Sequence, residues 1–86
     1  MVLFEVLPAD VDSLSERLHA ERLVWIHFRD GSQFVAASLR SEASDLAALM
    51  RTVERWAAER GLAGITFEVD GRSYVLRLQP YILVAR

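Results

Sequence analysis

Two Asp-Gly pairs, Asp30-Gly31 and Asp70-Gly71, each stand between two runs of alternating apolar residues. Asp-Gly tolerates the positive φ angles that a two-residue type I′ turn needs at both central positions. A chain punctuated in this way is committed to two β-hairpins, and the turn length sets which residues share a face. In the first hairpin, from Leu23 to Leu39, this puts Val24, Ile26 and Phe28 with Val35, Ala37 and Leu39. That is the expected core face, and Trp25, His27, Phe34, Ala36 and Ser38 take the other. In the second hairpin Ile65, Phe67 and Val69 join Tyr74, Leu76 and Leu78. The opposite face, with Thr66, Glu68, Ser73 and Arg77, is expected to be solvated.

Each hairpin follows a stretch of helical period. Val11, Leu14 and Leu18 form one stripe and predict a helix from about Asp10 to Glu21. Asp10 or Ser13 is the expected cap, with Ser13 and Glu16 at capping-box spacing. Arg17 and Glu21 are spaced to pair on the wet side. A longer stripe, Leu46, Leu49, Met50, Val53, Trp56 and Ala57, predicts a second helix capped by Ser41 or Ser44. Glu42 and Asp45 fall in its first turn, where the helix dipole favours negative charge, and Gly61 can stop it. Trp56 reads as a core anchor. Met1 to Leu7 is apolar on both faces, as a central strand is, and Pro8 ends it.

The resulting order is β-α-β-β-α-β-β, in one domain spanning residues 1–86. Its first six elements match the ferredoxin-like order, so the expected fold is an α+β, ferredoxin-like two-layer sandwich. Two helices would cover one face of an antiparallel sheet. After Pro80 the apolar run Tyr81-Ile82-Leu83-Val84 predicts one more strand. The helix–hairpin unit occurs twice, but the strands before the two turns alternate in opposite phase, so no duplication is inferred.

Composition excludes more than it assigns. The hydrophobic share is 52% in 86 residues, more than so short a chain easily hides, which points to a partner for some of it. The net charge of −2 gives no pull toward nucleic acid or anionic membrane. All ten basic residues are Arg, so neither a lysine Schiff base nor a P-loop lysine exists. Cysteine is absent, which removes disulfides, thiolate metal sites and cysteine nucleophiles. No apolar run reaches membrane-spanning length and no signal-peptide pattern is present, so a cytoplasmic protein is expected.

No motif carries catalysis. His19 and His27 show no metal-ligand spacing, and the carboxylates read as helix starts and turns. The third predicted strand, Gly-Ser-Gln-Phe-Val-Ala-Ala-Ser, lacks the basic–Gly–aromatic pattern of an RNA-binding sheet. No catalytic residue, cofactor or metal site is therefore expected. Two features remain. Trp25, His27 and Phe34 should share the sheet face away from the helices, where an apolar patch implies a partner or the chain's own tail. Tyr81, Ile82, Leu83 and Val84 would form an unguarded strand, pairing in the domain's own sheet or with another chain. The expected function is a non-enzymatic protein–protein interaction module, self-associating, of the adaptor, inhibitor or immunity type found in bacteria and phages. The alternative is a small-molecule-binding regulatory domain.

Overall fold

Both Asp-Gly pairs make the turns their chemistry predicts. Asp30 and Gly31 have φ of 49° and 79°, and Asp70 and Gly71 have 52° and 79°. The computed structural model describes residues 1–78, so the predicted strand at Tyr81 to Val84 lies outside the described residues. The elements, in order, are β1 (Val2–Glu5), a 3-10 turn (Pro8–Asp10), α1 (Val11–His19), β2 (Val24–Arg29), β3 (Ser32–Ala37), α2 (Ala43–Glu59), β4 (Gly64–Val69) and β5 (Arg72–Arg77). No helix among the described residues is long and apolar enough to cross a membrane.

The five strands form one antiparallel sheet in the order β2-β3-β1-β4-β5. The fold is thus α+β, and β1 is its middle strand, with one hairpin on each side. This explains why β1 is apolar on both faces: Val2, Leu3 and Phe4 are all buried. Phe4 stands opposite Val35 of β3 and Phe67 of β4.

One sheet face carries the core. Val2, Phe4, Val35, Ala37 and Ile65 from the strands pack with Val11, Leu14 and Leu18 of α1 and Leu49, Val53, Trp56 and Ala57 of α2. Each fully buried Leu here contributes about 1.5–3 kcal/mol. Trp56 is the largest fully buried side chain, and its indole N–H donates to Ser13 Oγ at 2.9 Å. A buried indole N–H needs such an acceptor.

The helix termini depart from the sequence expectation for the same reason. Ser13 and Glu16 form no capping box, and α1 and α2 begin at Asp10 and Glu42 without side-chain cap bonds. Tertiary partners take those groups instead. Ser13 serves Trp56, Asp10 accepts from Arg60 Nε at 2.9 Å, and Arg17 pairs with Glu59 rather than Glu21. Gly61, at φ 71°, follows α2 as expected.

Asp45 lies in the first turn of α2 as expected and takes on more than the role of a helix-start charge. It takes a two-pronged bond from Arg22, at 2.9 and 3.2 Å, and a bond from the backbone N–H of Arg40 at 2.8 Å. Arg22 also donates to the carbonyl of Ser38 at 3.0 Å. Both side chains are buried. The pair ties the open end of the first hairpin to the start of α2. The Arg22 guanidinium, then the Arg40 N–H, hold the Asp45 carboxyl below the usual carboxylate range.

Candidate functional site

β2 is a sheet edge, and its position decides what its side chains do. The face expected to be core is partly exposed. Val24 packs against the core, but Ile26 is 40% and Phe28 67% exposed. The alternation was right and the burial was not: the chain has no further strand outside β2 among the described residues, and α1 covers only part of it. Leu23, just before the strand, is 71% exposed, and Trp25 on the opposite face is 42% exposed. The exposed apolar side chains at 23, 25, 26 and 28 thus follow one edge.

The backbone of that edge is also unspent. The N–H of Ser38 donates to the carbonyl of Leu23. In an antiparallel ladder, residues alternate between pairs that exchange hydrogen bonds and pairs that do not. Leu23, Trp25, His27 and Arg29 therefore direct their N–H and C=O groups toward β3. Val24, Ile26 and Phe28 direct theirs outward, where no strand among the described residues meets them.

Between α1 and β2 lies an open, mostly apolar groove of about 230 Å³, lined by Ser15, Glu16, His19, Val24, Trp25 and Ile26. Glu16 and His19 supply its polar rim. Its floor is the outer half of the sheet that α1 leaves uncovered.

The other sheet face holds the residues singled out from the sequence. Trp25, His27 and Phe34 do share it, and His27 lies directly opposite Phe34. Their rings meet edge-on with centroids 6.3 Å apart. Phe34 is half-buried, with the Arg29 guanidinium 5.3 Å above its ring. Arg29 reaches on to Glu68, with bonds of 2.8 and 3.3 Å, so an ion pair crosses this face between the two hairpins. Hydrogen bonding to Arg29 holds Glu68 below the usual carboxylate range and raises the Arg29 pKa in return. Buried Leu3 and Ala36 lie beside these groups in the sheet. Of the predicted patch, Trp25 is the exposed member; Tyr81, Ile82, Leu83 and Val84 lie outside the described residues.

The two histidines are kept apart. His19 belongs to the groove on the helix side, and His27 to the opposite face. Among the described residues no group of three His, Asp or Glu side chains gathers at metal-binding distance.

The residues that sequence reasoning missed are Ile26 and Phe28. A signal for them existed in the element order. In that order the strand after the first helix is an outer strand, and an outer strand of mostly apolar residues leaves some of them uncovered. Compared with family models, curated proteins and solved structures, the chain matches none.

Proposed function

We propose that this chain is a non-enzymatic protein-interaction module that self-associates through the β2 side of its sheet. One observation carries the reading: a six-residue edge strand that exposes Trp25, Ile26 and Phe28 and whose outer backbone meets no strand among the described residues. Natural edge strands are usually blunted by lysine, proline, bulges or shortness. β2 has none of these, and Arg29 at its end is engaged by Glu68. An edge in that state is a template for another strand.

We also read the first six elements as a ferredoxin-like arrangement. The reading is supported by β1 lying between β3 and β4, with β2 outside β3 and both helices joined to one core. A cytoplasmic setting suits a chain without cysteine.

The small-molecule alternative draws on the α1–β2 groove. At about 230 Å³ and open, it falls below the roughly 300–1,000 Å³ of ordinary ligand pockets. Its size and apolar walls suit a protein side chain better. Sedimentation velocity of the full chain, from about one to tens of micromolar, tests the proposal. The expected result is a mean mass that rises with concentration toward a multiple of 9.7 kDa. A monomer throughout would refute self-association.

A further inference from the structure

We propose that the second copy binds by antiparallel pairing of β2 with β2, Ile26 opposite Ile26, so that the two described sheets join into one continuous sheet. The proposal rests on the self-association reading above and deepens it by naming the seam. The hydrogen-bond parity of β2 sets the geometry. Only Val24, Ile26 and Phe28 direct backbone groups outward, so hydrogen-bonded pairs across the seam must join members of this set.

A two-fold axis perpendicular to the sheet keeps both helix layers on one side, and it allows few registers. With Ile26 opposite Ile26, Val24 meets Phe28 twice, and all three residues of each copy exchange bonds. Moving the axis to His27 leaves Val24 opposite Asp30, which is already in the turn. Moving it to Trp25 sets Phe28 against Arg22, whose N–H already donates to Leu18. Either shift forfeits one of the three exchanging positions.

Side chains agree with the backbone. On the helix side the seam brings together Ile26 with Ile26 and Val24 with Phe28. Phe28, 67% exposed in one copy, then lies beside the groove that Val24 and Ile26 of the other copy help to line. On the opposite face Trp25 meets His27, and Arg29 meets Leu23. No two like charges face each other, and the Arg29–Glu68 pair of each copy stays whole.

The seam covers apolar area that each copy exposes. At their exposures, Trp25 and Phe28 offer roughly 200 Å² per copy. Leu23, Ile26 and the groove walls add to this, and the two-fold doubles it. Trp25 and Phe28 thus supply roughly 400 Å² over both copies, and the seam is small beside the roughly 1,200 Å² at which specific interfaces begin.

Because the chain has no cysteine, single cysteines can report the register without background. In the proposed seam the two Ile26 Cα atoms are about 5.5 Å apart, within disulfide range. Ile26→Cys, His27→Cys and, on β5, Val75→Cys are oxidised at a concentration where sedimentation shows dimer. Ile26→Cys should cross-link at least tenfold faster than either other variant. A mixture of Val24→Cys with Phe28→Cys should yield the mixed dimer, which covers the case of a poorly folded Ile26→Cys. Phe28→Glu should weaken association at least tenfold, with the circular dichroism spectrum unchanged. A dimer by sedimentation that cross-links fastest at Val75 or His27, or is untouched by Phe28→Glu, overturns this seam while self-association stands. A monomer by sedimentation overturns the functional reading itself.

Discussion

The two hairpins are built from the same parts and differ in what their outer strands carry. Each has two six-residue strands closed by Asp-Gly in the same positive-φ conformation. Each lends its inner strand to β1 and leaves its outer strand at an edge of the described sheet. The outer strand of the second, β5, starts and ends with arginine, and between them it exposes Tyr74 (45%), on the face expected to be core, and Val75 (60%) on the other. The outer strand of the first, β2, is Val-Trp-Ile-His-Phe-Arg. Turn chemistry therefore decides that a hairpin forms, while the composition of its outer strand decides which side chains that edge exposes.

Their open ends differ as well. The first hairpin is held at its base by the buried Arg22–Asp45 pair and the Arg40 N–H. The second is closed by backbone, with the Leu78 N–H donating to the carbonyl of Ala63 at 2.9 Å, and by Leu62, Ile65 and Leu78 at the core. Gly64 lets the chains close there, since a Cβ at that position would lie 3.0 Å from the carbonyl of Leu76.

This contrast can be broken at three levels. The largest effect separates two isoleucines. Ile65→Ala, at a buried position in β4, should cost about 2–4 kcal/mol, while Ile26→Ala, partly exposed in β2, should cost about 1 kcal/mol. Urea unfolding at a concentration below association measures both. Equal costs would mean that β2 is covered after all.

The second test is acid. The folded-state pKa of Asp45 is depressed, so its contribution is complete above the ordinary carboxylate range and is lost as pH falls through the folded value. Acid should therefore loosen the base of the first hairpin before that of the second. In hydrogen exchange the Ser38 amide should lose protection at higher pH than the Leu78 amide. Asp45→Asn should lower the melting temperature at neutral pH, and its difference from the parent should shrink as pH falls. Leu78 opening first would break the comparison.

The smallest effect should show no contrast. Gly31→Ala and Gly71→Ala, both at φ 79°, should each cost about 1–2 kcal/mol, because both force a Cβ into left-handed backbone. Unequal values in thermal melts would show that the two turns are not equivalent.

The features legible in the sequence were those set by local chemistry and period. The two turns, the register of both hairpins, the length of α2, the Trp56 anchor and the central place of β1 all followed from residues near one another. Long-range competition was harder to read. Ser13 and Asp10 each fit a local capping role and Asp45 a first-turn charge, and each is also used by a residue at least 23 positions away. Periodicity showed that Val24, Ile26 and Phe28 share a face, but not that α1 stops short of covering it. The patch of Trp25, His27 and Phe34 was legible as a shared face. The Arg29–Glu68 bridge across it was not, because its partners come from different hairpins.

The central strand has one further consequence, for the order in which the molecule assembles. Each hairpin closes on itself through near neighbours such as Arg29 with Ser32. β1 instead pairs Val2 with Ala37 and with Val69, contacts that span about half and most of the chain. Contacts this distant make folding slow, since their entropy must be lost before they reward it. During synthesis β1 is therefore made before both strands it pairs with and waits for β4 to be satisfied on its second side. Until residue 69 is available the chain carries a bare edge on β1 as well as on β2, and that interval is when it is most exposed to wrong pairing.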